Sequence, residues 1–523
     1  MERSEARSMV ISRQGIVATS QTLASQAGAQ VLARGGSAID AAIAANAVLG
    51  VVEPMSNGIG GDLFALYWEA ETGQLTGLNA SGWAPAGLDI AFLQAKGIVT
   101  TPPDGIHSVT VPGCVDGWEK LHQRFGGMAW AELFRPAIYY AENGFPVTEI
   151  IADTWQKSIC GSSAPATGDI FRNPALGRAL ELIARDGPEA MYRGPIGESI
   201  VATSKRLGGA MAPADLSEYS SEWVEPISTE YRGWTIYEIP PSSQGIAALE
   251  MLNLMERFPL GDAADADALH VKIEAQKLAY ADLQRYVADP RYAKVPVGGL
   301  LSKKYAAERA ALIDSKRALS GPRPGSPLAG AGDTIYLAVV DSAGNIASLI
   351  QSIYHSFGSG VYVDDWGFHL HNRGALFEMD ATHPNALAGR KRPFHTIIPA
   401  FMERGSTHIG FGIMGGLNQA QAHAQFVANI VDHGMNIQGA LEAPRFTKLN
   451  FGGCDVLMES RVPAETRAAL EARGHEIEVM GAFSGSMGGG QAVLHDSESG
   501  VNYGASSPRK DGAAVPEAPD FWG

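Results

Sequence analysis

A threonine hydroxyl is a poor nucleophile at neutral pH unless a base takes its proton during attack, and in this chain that base could be the threonine's own amino group. At Asp333-Thr334 a run of turn-formers and small residues gives way to a strand-like segment beginning with threonine. Residues 319–332, LSGPRPGSPLAGAG, carry three prolines and several glycines that can take positive φ, so they read as an exposed, mobile loop. The following TIYLAVVD reads as extended. Breaking the peptide bond between Asp333 and Thr334 would leave Thr334 with a free α-amino group beside its hydroxyl. Such an amino group titrates near about 7.7–8.0, within working range of a general base, so no histidine or aspartate partner is required. On local sequence alone, the same residues could simply open a hairpin.

The elements that must position this junction are legible from periodicity. Residues 21–34 and 38–50 are alanine-rich with apolar residues at helical spacing, and Arg34-Gly35-Gly36-Ser37 supplies a stop and then an N-cap, so two packed helices are expected. Glu53 to Asp62 form a glycine-dense turn, and the alternating LFALYWEAETGQLTGLNAS after it reads as a hairpin. GIGGD lacks a preceding strand and a following P-loop lysine, which argues against a nucleotide site. Residues 243–258 and 266–287 read as a helix pair covering one face of a sheet. Past Thr334, TIYLAVV, the turn at Asp341-Ser342-Ala343-Gly344-Asn345 and IASLIQSIY predict a hairpin with Thr334 at its open end. HIGFGIMGG suggests a second hairpin or a sheet edge, 418–433 and 465–473 helices, and AVLHDSESGVNYGAS a last hairpin. Helix-flanked sheets without regular βαβ alternation point to a layered α/β or α+β sandwich.

Length alone suggests two or three domains for 523 residues, but the segment before Thr334 is the one long Pro/Gly-rich break. It divides the chain into residues 1–333 and the remaining 190, read here as two interleaved polypeptides of one globule. A formal charge of −16 argues against nucleic acid or an anionic membrane surface as partner. Cys114, Cys160 and Cys454 are too widely spaced for a disulfide framework or a CxxC metal site and read as buried small hydrophobes. No stretch has the length and apolarity of a signal peptide or a membrane span, so a cytoplasmic location is expected.

Several motifs, in order along the chain, resemble the γ-glutamyltransferase family: GGSAIDAAIAANAVLGVVEPMSNGIGGD, SVTVPGCVDGW, GDTIYLAVVDSAGNIASL, FGSGV, KRPFHTIIPA, MGG before a helix, and GASSPRKDG. The resemblance implies an N-terminal-nucleophile αββα four-layer sandwich of α+β class, cut autocatalytically into a large subunit (1–333) and a small one (334–523). It places Thr334 on the nucleophile and Asp333 on the residue whose peptide bond is broken. Gly415 and Gly416 fall on the pair whose N–H groups form the oxyanion hole, a role suited to residues without Cβ. Ser352 falls on a hydroxyl residue that assists the nucleophile. The implied partners are a small-molecule amide substrate and the two subunits of one precursor, with pairing of two such heterodimers left open and neither nucleic acid nor membrane involved.

The chain departs from the family pattern where a γ-glutamyl donor would be held. Ser81 stands in place of the carboxylate-binding arginine, with Trp83 two residues on, and a serine offers no bidentate fork. Arg373 stands where the family has a neutral amide, Leu376 where it has the aspartate that binds the α-ammonium, and Tyr354 where it has a smaller polar residue. His395 and Thr396 replace a serine pair, and Tyr354, Phe357, Trp83 and His395 are expected to narrow the pocket together. Without the aspartate the site should reject free α-ammonium groups, and Arg373 could hold a carboxylate in a bidentate pair. The expected reaction is amide hydrolysis of a small carboxylate-bearing donor without an α-amino group, as in the oxamate amidohydrolase branch of purine breakdown. Glutathione hydrolase or γ-glutamyltransferase activity and a glutaryl-type acylase are the alternatives, and an ion-pair role is the alternative for Arg373. No metal or organic cofactor is expected. His383, His395 and Asp365 show no ligand spacing.

Overall fold

In the computed structural model, which describes residues 5–158, 164–321, 335–450 and 452–520, the strand Ile335–Val340 lies inside a seven-stranded sheet rather than at its edge. Asp333, Thr334 and Cys160 lie outside the described residues. Ile335–Val340 pairs antiparallel with Ile16–Thr19 on one side and with Ile346–Ser352 on the other. Beyond the latter follow Asp62–Glu69, Gln74–Ala80 and Glu222–Val224, while Ala513–Pro516 closes the opposite edge beside Ile16–Thr19. A second seven-stranded sheet runs Val10–Ser12, Val501–Ser506, Gly490–Asp496, Thr407–Ile413, Ala400–Arg404, Trp234–Glu238, Ile227–Tyr231. Each sheet draws strands from both sides of residue 333.

The side chains of Ile335–Val340 explain why four layers form. Residues 336–340 are completely buried, so this strand is apolar on both faces instead of alternating. Leu337 and Val339 face a core shared with Thr22–Ala33 and Ala38–Val52, whereas Tyr336, Ala338 and Val340 face the second sheet. That inter-sheet core is continuous with the helices Gly245–Met255, Ala266–Tyr286 and Asn418–Val431 on the far side of the second sheet. The result is the helix, sheet, sheet, helix order of an αββα sandwich.

The expected helix pairs, hairpins and final strands stand within a few residues of their predicted bounds. Absent from the sequence reading were the helices Cys114–Phe125, Trp130–Asn143, Glu149–Ser158, Pro174–Asp186 and Pro195–Arg206, which extend the first helical layer, and the hairpin Ile227–Tyr231 to Trp234–Glu238. Cys114 is buried as expected, but Cys454 is only half-buried.

Asp341 ties the two parts of the chain together at the hairpin turn. One carboxylate oxygen accepts from the backbone N–H groups of Ala343 and Asn345, each at 3.0 Å. The other accepts from Asn345 Nδ2 at 3.0 Å and from the N–H of Ala38 at 3.1 Å, the first residue of Ala38–Val52. It therefore places a negative charge at the positive end of that helix, behind the capping box of Ser37 and Asp40. Asp341→Ala is expected to lower stability by about 3 kcal/mol, from the loss of several charge-assisted bonds. Urea unfolding with an unchanged midpoint would show that the carboxylate does not carry this tie.

Candidate active site

The register of the first sheet brings the strand following the junction against the glycine-dense turn. Ile335 pairs with Gln351 and Ser352 pairs with Asp62, while Gln351 Nε2 donates to the carbonyl of Gly58 at 2.9 Å. At Gly60 an added Cβ would sit 2.1 Å from the carbonyl oxygen of His369, so the turn needs glycine there because the backbone at His369 passes directly over it. Ser352 Oγ accepts from the N–H of Tyr354 at 2.8 Å. Tyr354 itself has a left-handed backbone, φ 76°, uncommon for a bulky side chain, which sets its ring beneath the Arg373 guanidinium at 4.7 Å.

Arg373 stands in a buried ion pair, the role given above as its alternative. It is completely buried, and its Nε donates to Asp62 Oδ2 at 3.0 Å and Oδ1 at 3.3 Å. Nη1 donates to Thr396 Oγ1 at 2.7 Å. Among the described residues Nη2 has no partner. With Nε bonded to Asp62 and one N–H of Nη1 to Thr396, the donors of Arg373 left without a partner among the described residues are on the outer edge of the guanidinium, at Nη2 and the second N–H of Nη1.

Asp62 is the hub that sequence reasoning missed. Besides Arg373, it accepts from His395 Nε2 at 2.5 Å, and His371 Nδ1 lies 3.5 Å away. Burial alone would raise its carboxyl, but the charge of Arg373 and then the polar ring nitrogens of His395 and His371 offset this and hold it well below the usual carboxylate range. Burial, with Arg373 nearby, pushes the His395 imidazole down to about 4, so that ring is neutral at pH 7. Burial also lowers Arg373 against the opposing pull of Asp62. Asp62 supplies a carboxylate here although Leu376 replaces the expected one; Leu376 packs in a small apolar cluster with Tyr354 and Ala375.

The glycine pair is joined to this cluster through a second residue with no sequence signal. Gln244, completely buried, donates through Nε2 to the carbonyls of Gly416, at 2.7 Å, and of Thr396. Gly415 and Gly416 have φ of 118° and 58°, a conformation that favours glycine and leads into Asn418–Val431. The strand end ahead of them is held by His423, whose Nε2 accepts from the N–H of Ile413 at 3.1 Å while Nδ1 donates to Glu238 at 2.8 Å. Burial raises the Glu238 carboxyl and lowers the His423 imidazole to about 3.

Ser352, Tyr354, Arg373, His395, Thr396 and Gly416 are thus linked in one network centred on Asp62 and Gln244. Three expected residues bond elsewhere. Ser81 donates to Asn79 Oδ1 at 2.6 Å and gives its carbonyl to Arg392 Nε at 2.8 Å. The Trp83 ring packs on Tyr219 and lies near the guanidinium groups of Arg291, Arg390 and Arg392. Phe357 lines a separate cavity of about 980 Å³ with Trp155 and His369. These two aromatics therefore do not close over Arg373 with Tyr354 and His395, because each is drawn to its own aromatic or cationic neighbours.

Comparison with known proteins places this geometry among amide-cleaving enzymes. The family model described as gamma-glutamyltranspeptidase matches residues 24–517. The chain is 36% identical to the glutathione hydrolase-like YwrD proenzyme of Bacillus subtilis, over 97% of this chain and 99% of that one. It is 34% identical to the oxamate amidohydrolase proenzyme of Klebsiella pneumoniae, with the same coverage of 97% and 99%. The crystal structure of cephalosporin acylase from Bacillus halodurans superposes with a TM-score of 0.92 at 41% identity, covering 98% of each chain.

Asp62→Ala strands a buried guanidinium and is expected to cost about 3–5 kcal/mol near neutral pH. Because the carboxyl is depressed in the folded state, its contribution is present above the unfolded carboxylate pKa of about 3.9 and is lost as pH falls through the lower folded value. The gap between wild type and variant, followed by denaturant unfolding, should therefore narrow below about pH 4. A gap independent of pH would mean that Asp62 is not ionised in the fold.

Proposed function

Since this chain belongs to the gamma-glutamyltranspeptidase family, we propose that it is the precursor of a threonine amidohydrolase that cleaves itself between Asp333 and Thr334. Thr334 Oγ then attacks the substrate amide carbonyl while its new α-amino group accepts the proton. The N–H groups of Gly415 and Gly416 stabilise the oxyanion, and Ser352 assists from the neighbouring strand. The amine leaves with the proton, and water releases the acyl group from the threonine ester.

The donor in this reading is a small acyl group bearing a carboxylate and no α-amino group, with oxamate the smallest example. The observation that carries it is the buried Nη2 of Arg373, an unpaired donor in a network that links to the oxyanion glycines through Thr396 and Gln244. Tyr354 and His395 limit the size of the acyl group, and Ser81 and Trp83 shape the large-subunit side at a distance. A γ-glutamyl donor would need a carboxylate for its ammonium. Asp62 is the candidate, but both its oxygens are engaged by Arg373, and Oδ2 also by His395.

On a denaturing gel the purified protein should give fragments of 333 and 190 residues, and Thr334→Ala a single chain of 55.3 kDa. The processed protein should release ammonia from oxamate and leave γ-glutamyl-p-nitroanilide intact. Arg373→Lys keeps a counter-charge for Asp62 but loses Nη2, and should lower kcat/KM for oxamate about tenfold to a hundredfold. An active uncut chain would refute the nucleophile; rapid cleavage of the γ-glutamyl compound would refute the donor.

A further inference from the structure

The anchor for a donor carboxylate is already neutralised. With Asp62 ionised and His395 neutral, Asp62 and Arg373 cancel, and all three side chains are completely buried. A donor carboxylate on Nη2 would be the second carboxylate on one guanidinium, whose Nε is 3.0 Å from Asp62. Two carboxylates sharing one cation away from water do not both stay ionised without a further positive charge.

The two histidines around Asp62 differ in their ability to supply that charge. His395 Nε2 faces Asp62, but its Nδ1 faces the N–H of Ile397 at 3.4 Å, so a second ring proton would meet a donor. His371 is arranged the other way. Its Nε2 lies 3.0 Å from the carbonyl oxygen of Thr110, and its Nδ1 lies 3.5 Å from Asp62 Oδ2 and has no hydrogen-bond partner among the described residues. Both ring nitrogens therefore look onto oxygen, and an imidazolium would find an acceptor at each end. Among the described residues the other charged or titratable groups around the pair are Arg373 and His395, together with Cys114 and Tyr219, which burial keeps protonated.

Taking Arg373 as the donor anchor, as read above, we propose that the donor carboxylate binds together with one proton, held by His371 against Asp62, and that Asp62 thereby sets the charge selectivity of the site. Asp62 and His371 are positioning and selectivity residues here. They reach the donor through Arg373 and take no part in bond making.

The test compares oxamate with oxamide, its neutral counterpart of nearly the same size, by following ammonia release from the processed enzyme between pH 6 and 9. In the wild type, KM for oxamate should rise with pH relative to KM for oxamide, approaching tenfold per pH unit where one proton is taken up on binding. Asp62→Asn keeps an acceptor for Arg373 but removes the competing charge. It should abolish that rise and lower KM for oxamate at pH 8 to 9, whereas a merely structural role would raise KM for both compounds. If Asp62→Asn fails to fold, His371→Gln serves in its place: its side-chain amide can still donate to Thr110 but takes no proton, so KM for oxamate should be flat with pH and raised well beyond any change in KM for oxamide. Parallel pH profiles for the two compounds in the wild type would overturn the proposal alone. Turnover of neither compound would remove the donor reading and this proposal with it.

Discussion

A negative and a positive charge buried together, Asp62 from the glycine-dense turn and Arg373 from the segment after Phe368–His369, form the constraint on which the site is built. They are 311 residues apart in sequence, and each would be untenable without the other. Once they meet, little else in the neighbourhood is free to move. The guanidinium plane is fixed by Asp62 at Nε, Thr396 at Nη1 and the Tyr354 ring on its face. Thr396 in turn shares Gln244 with Gly416, so the orientation of a recognition group is coupled to the backbone of the glycine turn. Such coupling suits hydrolysis, where the carbonyl must lie between nucleophile and oxyanion donors within a fraction of an ångström.

The sheets and their flanking helices support this pair from below. Asp62 opens Asp62–Glu69, held in register by Ile346–Ser352, which in turn pairs with Ile335–Val340. The strand after the junction and the strand bearing Asp62 are thus separated by one strand only. A slip of one residue would turn Tyr336 away from the second sheet and uncouple the two cores, so the burial of residues 336–340 on both faces is what fixes the alignment.

What could be read from the sequence follows from the range of the forces involved. Helices such as Ala38–Val52 and hairpins such as Ile335–Val340 with Ile346–Ser352 are set by local periodicity and turn residues, and these were readable. Family motifs pointed to Arg373, Tyr354, His395 and Thr396, and these do converge. Asp62 was passed over because GIGGD was weighed as a phosphate loop and set aside, so its carboxylate was never matched with an arginine far along the chain. His371 stands in the same HLHNRG motif as Arg373 yet has no meaning until Asp62 is beside it. Gln244 carries no signal, since its value lies in two backbone carbonyls brought in by tertiary packing. Trp83 and Phe357 were assigned to the pocket by position in the motif, but the direction of a large ring is decided by the neighbours it can reach, here three arginines for Trp83 and Trp155 with His369 for Phe357.

The strand order has a consequence for the chain as it leaves the ribosome. Ile16–Thr19 and Asp62–Glu69 are made early, yet in the finished sheet they are separated by two strands, Ile335–Val340 and Ile346–Ser352, that are translated hundreds of residues later. Until those are made, the facing N–H and C=O groups of these two early strands lack their native partners, so the centre of this sheet is completed by the later part of the chain.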